Sequence, residues 1–209
     1  MLSDLSKKGA NIQRLARKAS KNGETLSEVT KGISSDKARV KYGCAKVLRT
    51  LSETNPKVLY SSWDFFADML DTDNTFLKSD AAFIIANLTG IDSKCKFEKL
   101  FDKFYELLYD ESMVTAANVV KISGVVAKAK PKLQSRITNR LLSIDKTHHG
   151  RECKNIIKGH AILALDEYFD ESRDKKKILK FVKKQLRNPR PGTRKKAEKF
   201  LKKWDEGRL

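Results

Sequence analysis

The sequence predicts an all-α protein in which a pair of helices is repeated about five times, with one extra helix in front. Three observations carry that expectation. Prolines and glycines are few, four and ten in 209 residues, which suits helices better than many short strands. Apolar residues recur at helical spacing along most of the chain. One twelve-residue pattern returns five times in the same phase. A chain of this length can bury one sizeable core and is short for two domains, so a single repeat domain over residues 1–209 is expected.

The first element is a basic amphipathic helix near Ile12 to Ala19, within a basic N-terminal segment 1–22. The recurring pattern then appears as VKYGCAKVLRTL from Val40, LKSDAAFIIANL from Leu77, VTAANVVKISGV from Val114, IKGHAILALDEY from Ile157 and TRKKAEKFLKKW from Thr193. The starts are separated by 37, 37, 43 and 36 residues. Its fifth residue is small or compact (Cys44, Ala81, Asn118, Ala161, Ala197) and its ninth is aliphatic (Leu48, Ile85, Ile122, Leu165, Leu201). Its twelfth is large (Leu51, Leu88, Val125, Tyr168, Trp204). Positions one, five, nine and twelve share one face of a helix, and the small fifth residue lets a neighbour approach closely.

A second apolar-periodic segment precedes each pattern: Thr25 to Ile33, Leu59 to Leu70, Phe97 to Leu108, Leu133 to Ile144, and Ile178 to Leu186. Each therefore reads as the first helix of a hairpin. The second helices are expected to start near residues 36, 74, 111, 151 and 191. Asp36, Asp73 and Asp110 lie four residues before the first three patterns, where a carboxylate can accept from free N–H groups at a helix start. Pro56, Pro131 and Pro191 fall near helix boundaries, where a missing N–H does least harm.

At this point the chain resembles the HEAT-repeat family of α-solenoids, relatives of the armadillo repeats. The resemblance rests on the second-helix pattern V-R-x-x-A-x-x-x-L-x-x-L and covers roughly residues 24 to 205. The family's Arg position holds Lys41, Lys78, Lys158 and Arg194, and departs to Thr115. The resemblance implies a right-handed α-solenoid of about five helical hairpins. It also implies that the Asp and Arg positions tie repeats together and mark no ligand.

Charge is distributed unevenly. Residues 1–21 carry a net +5 and residues 171–209 a net +11, whereas the 149 residues between them carry only +2. The last repeat, 171–209, is thus a basic cap, because a terminal repeat needs a polar outer face. Lys176, Lys180, Lys183 and Arg187 line one side of its first helix, with Lys184 beside them. Arg194, Lys195, Lys199 and Lys202 occupy its second helix. These nine residues are the candidate contacts to nucleic acid or another polyanion. No aromatic side chains are interleaved with them, so contact with the phosphate backbone is expected, with little sequence preference. An acidic protein is the other partner that such a surface fits.

The seventh pattern position offers a second surface. Phe83, Val120 and Leu163 stand off the main apolar stripe and could line a concave groove for a partner segment, unless neighbouring helices cover them. A protein–protein adaptor is therefore the alternative to a polyanion-binding scaffold.

Other chemistry is poorly represented. His148, His149 and Cys153 cluster in sequence, but a zinc site takes four ligands and no second pair follows; an irregular loop is expected, and no metal. His160 is placed inside a helix as a partly buried neutral histidine. No phosphate-binding glycine loop, HExxH or nucleophile elbow occurs. Some bacterial alkylpurine DNA glycosylases built from HEAT-like repeats use tryptophans with an aspartate. Here Trp63 adjoins Asp64, but the other tryptophan, Trp204, holds a core position, so no catalytic residue carries over. The expectation is a non-enzymatic scaffold with no cofactor and no small-molecule substrate, and a HEAT-like DNA glycosylase is the last-ranked alternative. The three cysteines form no disulfide framework, the longest apolar run is AAFIIA, and no signal-peptide-like run opens the chain. A cytoplasmic protein without membrane contact follows as the expectation.

Overall fold

The computed structural model describes residues 2–204, so the last five residues of the 171–209 segment lie outside the described residues. The described residues are all-helical, with no strand among them. In chain order the α-helices are α1 (Leu2–Leu5), α2 (Ile12–Ala19), α3 (Gly23–Gly32), α4 (Ala38–Thr54), α5 (Trp63–Asp68) and α6 (Thr75–Leu88). They continue as α7 (Lys96–Glu106), α8 (Met113–Ala129), α9 (Gln134–Leu142), α10 (Arg151–Asp166), α11 (Lys175–Gln185) and α12 (Pro191–Trp204). Short 3-10 turns flank α5, follow α7 and bracket α9. The structure divides into two compact units, residues 1–100 and 101–209.

In the first unit, α4 is the central helix. It packs against α1, α2, α3 and α6. Asn11 and Asn22 start α2 and α3, their side chains accepting from Arg14 N–H at 2.9 Å and Thr25 N–H at 2.8 Å. Gly32 lets α3 lie close on α4, since a Cβ there would sit 2.4 Å from the Cys44 sulfur. Between α1 and α2 the chain runs without helix from Ser6 to Asn11, and Gly9 takes the positive φ of 80° that an L side chain resists. Along the α4–α6 contact, Arg49 reaches Asp80 at 3.2 Å and Asn87 donates to Ser52 at 2.9 Å. Asp92 is buried and accepts from Tyr60 O–H at 2.7 Å and from the N–H groups of Lys96 (3.0 Å) and Phe97 (2.9 Å), which starts α7.

In the second unit, α8 packs on α10 and α10 on α12, with α9 and α11 alongside. Phe101, Phe104 and Tyr105 of α7 join Val119, Val126, Ile137, Ile157 and Leu165 in the core. Two pairs of buried hydroxyls there satisfy each other. Tyr105 O–H lies 3.2 Å from the Ser123 hydroxyl, and the Thr138 and Tyr168 hydroxyls are 2.8 Å apart. Ala197 and Phe200 seat α12, and Thr193 O–H donates to the Asn155 carbonyl at 2.8 Å.

The helices α4, α6, α8, α10 and α12 begin 37, 38, 38 and 40 residues apart. The 43-residue step in the sequence pattern is thereby corrected. Val40, Leu77 and Thr193 lie two residues inside their helices, but Ile157 lies six inside α10. A shift of four keeps the same helix face, so the fourth motif matched one turn late. The third motif is one residue early: Val114 and Val125 are exposed, while Thr115, Val119, Ser123 and Val126 are fully buried. The aspartate caps are corrected too. Asn74, and not Asp73, caps α6 by accepting from Phe76 and Leu77. Lys37 precedes α4 with no side-chain cap, and Asp110 accepts from Ser112 N–H just outside α8. Pro56, Pro131 and Pro191 each open a helical segment, where proline has no N–H to lose.

Candidate polyanion interface

The last helical pair is built by strict division of faces. Ile178, Val182 and Gln185 of α11 are buried, and so are Thr193, Ala197, Phe200 and Leu201 of α12. Most of the lysines turn outward. Lys176, Lys180 and Lys183 of α11 and Arg187 just past its end line an open trough with Lys184, Leu179 and Leu186. On α12, Lys195, Lys199 and Lys202 follow one another at helical spacing and are exposed. Among the described residues, no ion pair joins Lys176, Lys180, Lys184, Arg187, Lys195, Lys199 or Lys202 to an acid.

Neighbouring cations are engaged. Lys175 pairs with Asp170, Lys177 with Asp174 at 2.8 Å, and Lys203 with Asp166 at 2.9 Å. Arg194 departs from its expected role. Its guanidinium donates to the carbonyls of Asn188 (2.8 Å) and Pro189 (2.9 Å), holding the turn that joins α11 to α12. Those carbonyls lie in the loop beyond the last turn of α11, and Arg194 reaches back to them from the first turn of α12.

The three groove residues do not form one exposed strip. Phe83 is buried beneath the Arg49 guanidinium, 3.5 Å from its ring centre, and Val120 is completely buried. Only Leu163 is exposed. The physical reason is the one-residue shift on α8 together with cover from the adjoining helix. The exposed apolar residues on α8 and α10 are instead Val114, Val125 and Leu163.

The remaining candidates are structural in their contacts. His149 is buried with its Nε2 3.1 Å from the Leu108 carbonyl, and its ring leans on His148. Burial pushes its pKa down. Among the described residues, no group of three or more His, Cys, Asp or Glu side chains is placed to hold a metal. His160 is half-buried; burial, then the charges of Lys196 and Lys121, push its pKa down. Trp63 is buried, whereas the Asp64 carboxylate points to solvent and binds Lys96 at 2.9 Å, so the two make no common pocket. No helix among the described residues is long and apolar enough to cross a membrane.

Sequence reasoning missed one basic feature. Arg151, Lys154 and Lys158 of α10 stand with Lys184 around a recess of about 500 Å³, whose other walls include Asn155, Gln185 and Asn188. Lys184 lies 26 to 33 positions from the three cations of α10, whose own spacing (three, then four) is the only trace in the sequence.

No family model matches the chain, and no curated protein matches it. Among solved structures, the chain is similar to an engineered protein whose crystal structure was a target of the Northeast Structural Genomics Consortium. The two share 14% identity over 99% of this chain and 97% of that one, with a TM-score of 0.52. At that identity the likeness is one of fold alone.

Proposed function

We propose that the chain is a non-enzymatic scaffold of the HEAT-like α-solenoid type that contacts nucleic acid through the phosphate backbone. The observation that carries this reading is the set of exposed cations on α11 and α12 that no described acid neutralises. Rigid helices with buried apolar faces present them, so their spacing is set before any ligand arrives. Point charges of this kind bind phosphates by releasing counterions, a term that is independent of sequence. The trough on α11 holds leucines and no aromatic ring, so base stacking has no platform there.

The test is duplex binding as a function of salt. Each cation in contact contributes about 0.9 to the slope of log affinity against log salt. Replacing Lys176, Lys180, Lys195 and Lys199 with Gln should lower that slope by about three to four and weaken unrelated duplexes by similar factors. Lys183 and Lys184 are left intact, because the first has another contact and the second belongs to the recess. A folded four-Gln variant with the parent's affinity and slope would sink the reading.

A protein-adaptor role is the second reading, favoured by the exposure of Val114, Val125 and Leu163 on α8 and α10. It predicts that an acidic peptide carrying apolar residues binds more tightly than duplex at equal ionic strength.

A further inference from the structure

We infer that the recess between α10 and the α11–α12 turn is a binding site for a single phosphate group, in which Asn155 donates a hydrogen bond and Arg151, Lys154, Lys158 and Lys184 supply charge. This deepens the polyanion reading and rests on it only for the source of the phosphate.

The argument begins with a chain of amides whose direction is fixed. Arg190 N–H, a donor by necessity, donates to Asn188 Oδ1 at 3.0 Å. Asn188 therefore turns its Nδ2 inward, where it donates to Gln185 Oε1 at 2.9 Å and to Asn155 Oδ1 at 3.1 Å. At the other end Gln185 Nε2 donates to the Phe181 carbonyl at 3.2 Å, which fixes that amide as well. Flipping Asn155 would set its NH2 against the NH2 of Asn188. The network thus has one orientation, and it ends with a surplus donor.

That donor is Asn155 Nδ2. Asn155 is 95% buried, being 5% exposed, and its Nδ2 has no hydrogen-bond partner. A buried N–H left without an acceptor has lost its water without replacement, so the site calls for an oxygen. Glu152 is the nearest acid on the same helix. Its carboxyl is held below the usual range by Arg190 first and feels the Asn155 amide beside it, but it is bonded to the Arg190 guanidinium and sits outside hydrogen-bond geometry for Asn155 Nδ2.

The surroundings select an anion. Four cations line the recess against one acid, Asp145. Asp145 has a largely exposed carboxylate that binds Lys158, and its carbonyl accepts from Lys154 Nζ at 3.1 Å, so it positions two of the cations. Pro189 is the only apolar side chain in the lining and no aromatic ring is present. Nothing there would grip a base or an acyl chain. A tetrahedral oxyanion with several acceptor oxygens matches one neutral N–H and a ring of charged donors.

The experiment is a calorimetric titration of the full chain with inorganic phosphate and pyrophosphate, repeated with a short single-stranded oligonucleotide as competitor. One saturable phosphate site is expected, weakened at least tenfold in Asn155→Asp and in Lys158→Gln. Asn155→Asp keeps the acceptor that Asn188 needs and replaces the donor with a negative oxygen. The inference is overturned if the parent shows no saturation, or if Asn155→Asp melts like the parent and binds phosphate as tightly. Should Asn155→Asp fail to fold, Lys158→Gln decides by the same criterion. Competition by the oligonucleotide identifies a phosphodiester as the source, and its absence a free phosphate ester. Saturable phosphate binding without duplex binding would sink the scaffold reading and keep this site; duplex binding without phosphate saturation would do the reverse.

Discussion

Single atoms decide the closest approaches in this protein. Gly32 faces a cysteine that is wholly buried and has no room to yield. Gly32→Ala should therefore destabilise by roughly 1–3 kcal/mol through overpacking, as read by urea denaturation. Gly23 opens α3 with free space around it, so Gly23→Ala should be neutral or stabilise by up to about 1 kcal/mol. A buried histidine and a half-buried one set a pH dependence. His149 and His160 both have folded pKa values pushed below the ordinary histidine value by burial. The unfolded chain then binds the extra protons, so the stability these groups contribute is present above about pH 6.5 and is lost as pH falls through that value. Chemical denaturation between pH 7 and pH 5 should show the decline, and His160→Gln should flatten it.

At the scale of helices, α8 provides a direct test of register. Val119 is fully buried and Val114 is about half exposed. Val119→Ala should cost roughly 1–3 kcal/mol, and Val114→Ala should stay within about 0.5 kcal/mol. Equal melting temperatures for the two variants would refute the one-residue shift. That shift explains what could be read from the sequence and what could not. Helical spacing placed α2 at Ile12–Ala19 and located α4, α6 and α12 by their apolar stripes. On α8 the residues Val114, Val119, Val120, Val125 and Val126 are apolar on every side, so periodicity does not choose a face there. Polar residues decide it instead, because Thr115 and Ser123 turn inward, Ser123 donating to the Val119 carbonyl at 2.8 Å.

At the scale of the whole molecule, charge is the organising quantity, with +11 of the net +18 in residues 171–209. A ligand that binds only the folded state adds stability in proportion to the logarithm of its concentration. Duplex DNA should therefore raise the melting temperature at low salt, and the increment should vanish as salt screens the contacts. A salt-independent increment would point to the apolar surface instead. The exposed cations of α11 were legible because a stripe at positions 176, 180, 183 and 187 follows from spacing alone. The fate of Arg194 was not, since spacing cannot tell a guanidinium facing solvent from one folded back on the carbonyls of Asn188 and Pro189. The recess was invisible for another reason: its floor joins Asn155 to Asn188 across 33 positions, through amides that occur throughout any sequence.

The unwound stretch between α1 and α2 has a bearing on how the chain is cut. With 44 Lys and Arg residues, it is nominally a rich substrate for trypsin. A protease needs several residues extended in its cleft, however, and most of these cations sit on helices that must first open. Lys7 and Lys8 are among the exposed cations outside the helices, and they adjoin a glycine already in a left-handed conformation. Brief digestion should nick the chain there first and release an N-terminal peptide ending at Lys7 or Lys8. That peptide carries α1, whose Leu5 fills a space against Gly43 of α4. The trimmed protein should accordingly expose apolar surface on α4 and bind a hydrophobic dye that the intact protein does not.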